Sequence, residues 1–272
     1  MRSTNVVTDI SAATADPSAE AAARAAGVVV RELDDMTRII EAVNLLASIW
    51  GRAGNPPVTS ELLRAFSKAG NYVAGAFEGD RLVGACVAFF HEPAGSALHS
   101  HIAGVSKDAA GRGVGFALKL HQRAWALRRD VADIVWTFDP LVARNAYFNL
   151  GKLGARPAEY LPNFYGAMSD AINGDEDSDR LLVQWRLREY GRARPATPPD
   201  AVVALGIDDD GGPVSGQLDA PVFLVAVPRD IEAMRASDPA LARRWRLAVR
   251  EALVGQIESF DPAGFYVVRR ES

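Results

Sequence analysis

The stretch Val105-Ser-Lys-Asp-Ala-Ala-Gly-Arg-Gly-Val-Gly-Phe-Ala-Leu-Lys119 decides how this chain is read. A β-prone run, Ala97–Val105, leads into it, and Gly111, Gly113 and Gly115 turn it. Beyond, Ala117, Leu118, His121, Ala124, Trp125 and Leu127 recur at helical spacing. Strand, glycine turn and helix in that order bring successive backbone N–H groups to the open end of a helix. Those amides and the positive end of the helix dipole suit a phosphate or pyrophosphate. A side chain at Gly113 or Gly115 would hold such a ligand off the backbone, and Arg112 adds a charge beside the turn. The competing reading is a glycine-rich connection that only turns a corner.

Two familiar phosphate loops fit less well. A Walker loop needs Gly-Lys and then Ser or Thr at the helix start, whereas Phe116 and Ala117 follow Gly115. The dinucleotide pattern Gly-x-Gly-x-x-Gly fails because the three glycines are spaced two apart, and the next strand-like run, Asp133–Phe138, leads into Asp139-Pro140. The spacing Ala110-Gly-Arg-Gly-Val-Gly115 resembles motif A of the GNAT acyltransferases, Gln/Arg-x-x-Gly-x-Gly/Ala, with Ala110 in place of the usual first residue. The resemblance implies that the backbone of Ala103, Gly104 and Val105 pairs with the pantetheine arm of acetyl-CoA or another acyl-CoA. It further implies that Ala110, Gly111, Arg112, Gly113, Val114 and Gly115 hold the pyrophosphate, with Asn145 and Phe148 as additional cofactor contacts.

The chain has 272 residues, 49% hydrophobic and 24% charged, with a net charge of −4. That composition is ordinary for a globular protein and lacks the basic footprint of a nucleic-acid binder. No apolar run approaches the ~20 residues that cross a membrane. Arg2 is followed by no apolar core, so no secretory signal is expected. A single cysteine, Cys86, excludes an internal disulfide and fits a reducing cytoplasm, the expected location.

Residues 1–26, rich in Ala, Ser, Thr and Asp, read as a mobile tail. Then come a strand at Val28–Leu33, a helix capped by Asp34 or Asp35, a second capped by Thr59 and ended by Gly70, and a hairpin, Tyr72–Glu78 with Leu82–Phe90, around Gly79-Asp80. The strand to Val105, the motif helix, the strand 133–138, a helix at Ala143–Gly154 and a strand at Arg180–Leu187 complete the order. That succession is similar to the GNAT fold over about residues 27–189: an α/β (α+β) mixed central sheet flanked by helices. Residues 190–220 read as linker, with a short strand at Val202–Leu205. Residues 221–272 form a small αβ docking extension: a strand at Val222–Val227, a helix begun by Ser237-Asp238-Pro239 and a last strand, Phe265–Arg269. The helix presents Leu241, Trp245, Ala248, Ala252 and Leu253 opposite a solvated face of Arg243, Arg246 and Arg250.

Acyl transfer to an amine needs a base for the ammonium proton, donors for the thioester carbonyl and an acid for the leaving thiolate. The resemblance places the base six residues before Val105, at His99. His101 shares its parity and so its strand face. A neutral imidazole is a base near neutral pH; the alternative is a pair of satisfied core histidines, and Glu92 is a further candidate base. No third ligand at a recognisable spacing accompanies the histidines, so no metal is expected. The family's tyrosine acid falls on Leu150, leaving Tyr147 one turn earlier as its replacement, and its helix-opening asparagine falls on Ala143, two before Asn145. Asp139, Arg144, Asn163 and Tyr165 are candidate substrate contacts, or simply turn formers. The expectation is an acyl-CoA-dependent N-acyltransferase for a small amine, with a homodimer as one assembly. A CoA-binding sensor and an acyl-CoA enzyme without an amine acceptor are the alternatives.

Overall fold

The computed structural model describes residues 5–52, 54–93, 95–166, 168, 176–191, 197–217 and 219–270, with backbone only for 5–14. The chain divides into two compact units. One is Met1–Trp136 with Arg186–Arg188; the other is Thr137–Trp185 with Glu189–Ser272.

In the first unit the order is α1 (Asn5–Ala26), β1 (Val29–Glu32), α2 (Met36–Ile49), α3 (Ser60–Lys68), β2 (Tyr72–Glu78), β3 (Arg81–Phe90), β4 (Leu98–Val105), α4 (Val114–Leu127) and β5 (Asp133–Phe138). Of the two proposed caps, Asp35 does the work: its carboxylate accepts from Arg38 N at 2.9 Å. Thr59 caps α3 in the same way, accepting from Leu62 N. β1 to β4 pair antiparallel in sequence order, and β5 joins β4 in parallel. Ile39, Val43 and Leu46 of α2 and Leu63 of α3 pack with Val73, Phe77, Ala85 and Val87 on one face of this sheet.

The other face carries α4, which is buried along nearly all its length from Ala117 to Leu127. A helix so covered needs partners on both sides. The sheet supplies one. The other is α1, which packs on α4 where a mobile tail was expected, burying Ala15, Ala19 and Ala26 and pairing Asp16 with Arg128. Its small side chains let two helices approach closely, which a count of apolar residues does not reveal.

The second unit contains α5 (Ala143–Ala146), which runs into a π-helical stretch, Tyr147–Leu153, then β6 (Arg156–Leu161), β7 (Arg180–Arg186, whose last residue lies beyond the unit), β8 (Val202–Ile207), β9 (Pro213–Ser215), β10 (Val222–Ala226), α6 (Ile231–Ser237), α7 (Pro239–Ala252), β11 (Gln256–Asp261) and β12 (Phe265–Arg269). β6 and β7 pair antiparallel; the five others form a sheet in the order β11-β12-β10-β8-β9. Pro157 hides β6 from a sequence reading because proline breaks strands except at edges. Among the described residues no helix is long and apolar enough to cross a membrane.

Residues 221–272 are thus not a body of their own: they share a unit with 137–185. One tie between them is a buried ionic cluster. Arg246 on α7 grips the Asp139 carboxylate with two bonds, at 2.9 and 2.8 Å, and Arg235 on α6 reaches it at 2.6 Å. The same two arginines hold Glu176, and Arg250 holds Asp177 and Asp179. The solvated arginine face is therefore corrected: Arg243 is exposed, Arg250 is half-buried and the Arg246 side chain is only 2% exposed. Asp139 and Glu176 are each matched by Arg235 and Arg246, and such pairing is the condition for burying these charges at all.

Removing one partner leaves the others uncompensated. Arg246→Leu is expected to lower the unfolding free energy by about 3–5 kcal/mol in urea titrations. Burial alone would raise the Asp139 carboxyl, but Arg246 and Arg235 outweigh it and hold it well below the ordinary range. Its contribution in the unaltered protein is complete above the unfolded carboxylate value, near 3.9, and falls away only in stronger acid, so the unaltered protein should lose none of it at pH 5.

Candidate functional site

Past Val105 the chain makes a 3-10 turn at Lys107–Ala109, with Ala109 N donating to Ser106 O and Ala110 N to Lys107 O. Gly111 and Gly113 follow with φ of 77° and 88°. Both lie in the left-handed region, where a side chain is strained, so the turn itself requires these glycines. α4 starts at Val114, and its first turn is closed by Ala117 N donating to Gly113 O at 3.0 Å. No side chain caps this end, so its opening amides are served by neither helix nor cap. The space over the turn is open. A Cβ built on Gly111 would meet nothing within 4 Å, one on Gly113 only Ala26 at 3.8 Å, and one on Gly115 only Val105 at 3.8 Å. Arg112 is less available than its position suggests, since it donates to Glu78 at 2.6 Å.

β4 delivers this turn and has two irregularities of its own. It pairs with β5 only at Leu98/Ile134 and His99/Val135. From Ser100 to Val105 its β5-side edge meets no further rung of that pairing, while β3 continues along the opposite edge. The β3 register also shifts: Ala88 faces Ser100 and Val87 faces Ile102, which leaves His101 as the extra residue of a bulge. Ala103, Gly104 and Val105 thus lie on an open strand edge that ends in a cradle of amides.

His99 and His101 do share a face. Their rings lie 4.9 and 5.9 Å from that of Phe89 and 6.2 Å from each other. Burial, helped by the charges of His101, His91 and Lys119, lowers His99 to about 4, so its imidazole is neutral at pH 7 and a weaker base than usual. His101, although exposed, is lowered too by desolvation of its packed ring.

The remaining candidates lie in the second unit. Asp139 is corrected as a substrate contact: its oxygens are occupied by Arg235, Arg246 and Leu141 N. Arg144 is likewise engaged by Glu232 at 2.7 Å. Asn163 has φ 45° and builds a turn: its Oδ1 accepts from Ser178 N, and its N donates to Asp179. Tyr165 is exposed, with its hydroxyl 3.2 Å from Thr137 Oγ1. Tyr147 is exposed beside Gly151, where a Cβ would come within 2.9 Å of its ring. Asn145 and Phe148 are half-buried, and Leu150 is fully buried. The sequence reading missed Lys119, a polar residue on the sheet-facing side of α4, although its place among apolar neighbours was a visible signal. Among the described residues no group of three or more His, Cys, Asp and Glu is placed to hold a metal ion.

No protein-family model and no curated protein matches this chain. Solved structures similar to it include aminoglycoside 6'-acetyltransferase type Ii, at 20% identity over 61% of this chain and 99% of that one, TM-score 0.47. Another is the ribosomal-protein-S18-alanine N-acetyltransferase from Escherichia coli, at 14% identity over 62% and 99%, TM-score 0.48. A third is a GNAT family acetyltransferase from Elizabethkingia anophelis with acetyl-CoA bound, at 16% identity over 59% and 98%, TM-score 0.47.

The packing of His99 has a direct readout. In an NMR titration its ring signals should move near pH 4, well below the ordinary 6.5. Phe89→Ala, which opens one side of the ring to water, should raise that midpoint; an unshifted midpoint would mean that Phe89 does not desolvate it.

Proposed function

We propose that the first unit binds an acyl-CoA, acetyl-CoA being the first to test, and that the protein transfers the acyl group to a small amine. One observation carries this reading: an open strand edge, Ser100–Val105, leads directly into an uncapped helix N-terminus cradled by Gly111 and Gly113. An extended arm with amide groups can add to the edge as a strand would. A pyrophosphate at its end then meets the free N–H groups of α4 and the positive end of its dipole. Few ligands combine an amide-bearing arm with a pyrophosphate, and CoA is one.

In the transfer step the amine nitrogen attacks the thioester carbon, the carbonyl oxygen gathers charge, and the CoA thiolate leaves as the amide forms. The bulge at His101 frees backbone donor capacity beside that carbonyl. His99 is the proposed acceptor of the ammonium proton. A base whose conjugate acid titrates near 4 is fully available at pH 7 but weak, so His99→Ala should cost toward the low end of a general base's worth, roughly 10²-fold. The lowered basicity of His99 and the placement of Leu150 favour a second reading, a CoA-binding protein without transfer.

Calorimetry with acetyl-CoA tests the binding half. Gly113→Glu places a carboxylate and added bulk in the cradle and should abolish binding; unchanged affinity would overturn the site. Thiol release with a panel of small amines tests the transfer half and separates the two readings. If His99 is the base, the release rate should hold as pH falls through 6.5 and decline only near 4, because the working form is the neutral imidazole. A decline centred on 6.5 would assign the proton to another group.

A further inference from the structure

Lys119 sits on the second turn of α4 with its side chain fully buried against the sheet. Its Nζ donates to Ser100 Oγ at 2.8 Å and to Gln122 Oε1 at 3.2 Å, and it lies 4.0 Å from the centre of the Trp136 ring. Among the described residues no carboxylate pairs with it. The positions of its partners matter more than their number. The last rung shared by β4 and β5 is His99/Val135. Ser100 and Trp136 are the next residue on each strand. One ammonium therefore bridges the first residue of both strands beyond the point where they part.

A buried, unpaired ammonium is expensive to keep, and a protein selected only for stability would place an apolar side chain there. Stability given up at one position is commonly the mark of a functional demand. Here the demand is geometric. Ser100 immediately precedes the bulged His101, so the bond from Lys119 holds the residue on which the bulge turns. The ring of Trp136 is drawn to the same charge, which limits how far β5 can drift from β4.

We propose that Lys119 is a positioning residue for acyl transfer, which clips Ser100 and Trp136 across the β4–β5 fork and thereby fixes the bulge that faces the reacting carbonyl. This rests on the reading that the fork receives the acyl end of an acyl-CoA. From Val105 back to Ser100 the strand covers about 17 Å at 3.3–3.4 Å per residue. Although Lys119 stands on the second turn of α4, its ammonium reaches Ser100 at the far end of that span, so the clip should affect the chemistry more than the affinity. Burial lowers the Lys119 ammonium to about 8, with Cys86 the one titratable group opposing that shift, and the charge of Lys119 itself helps depress His99.

The test uses the full chain, acetyl-CoA, and the best amine from the thiol-release panel. Lys119→Met should keep the fold, bind acetyl-CoA within about threefold of the unaltered protein, and release thiol roughly 10–100-fold more slowly, the scale of a small misplacement at the reacting centre. It should also raise the His99 titration midpoint, to which the Lys119 charge contributes beside burial, and the retained acetyl-CoA affinity with slowed release separates this from a general loss of packing. Ser100→Ala keeps the ammonium but removes its hold on β4; it should slow release while leaving the His99 midpoint low, and it serves as the decisive variant if Lys119→Met does not fold. Normal release in either folded variant, with acetyl-CoA still bound, would overturn the clip alone. Failure of the unaltered protein to bind acetyl-CoA would overturn the parent reading and the clip with it.

Discussion

Two β-strands can share hydrogen bonds only while they run about 4.8 Å apart, and β4 and β5 stop doing so after a single pair of rungs. Much of the candidate site follows from that parting. It leaves the edge of β4 with backbone groups that need a partner, and it opens a wedge that a ligand can enter. The bulge at His101 falls two residues past the last shared rung, where the neighbouring ladder with β3 also slips. At the far end of the same strand the glycine turn presents amides with no cap. Strand edge, bulge and helix end are three forms of one physical condition, main-chain polarity left unsatisfied by the protein itself.

Much of this frame was legible in the sequence, for reasons that can be named. Gly111 and Gly113 are needed for positive φ, a local requirement that local sequence can express. The order of strands and helices follows from hydrophobic period, and Asp35 and Thr59 cap where short polar side chains before an apolar stripe predict. The parity argument for His99 and His101 also held, since both rings meet Phe89.

What escaped depends on long-range encounters. Arg246 lies on α7 and its partner Asp139 just after β5, 107 residues apart, and no periodicity relates them. An arginine row opposite an apolar stripe is normally solvated; only a matched set of buried carboxylates reverses that, and Asp139 taken alone reads as a substrate contact or a turn former. The N-terminal helix escaped for the opposite reason. Its alanines bury little area apiece, and their value lies in the close approach to α4 that they permit. Lys119 was passed over because a lone lysine within a helix is usually a surface residue.

The ion pairs beside the glycine turn have a kinetic consequence. Glu78 is shared between Arg112 and Arg81, and Arg81 also reaches Asp108. All four side chains are solvent-exposed, so mobile ions weaken their attraction as the Debye length shrinks from about 30 Å at 0.01 M to about 8 Å at physiological strength. In dilute buffer Arg112 is held by Glu78, and an arriving anion must compete for it. Added salt screens the anion's own approach but also loosens that hold. The two effects oppose each other, so the capture rate of a polyphosphate should depend on ionic strength less steeply than the one free guanidinium counted from the sequence would imply.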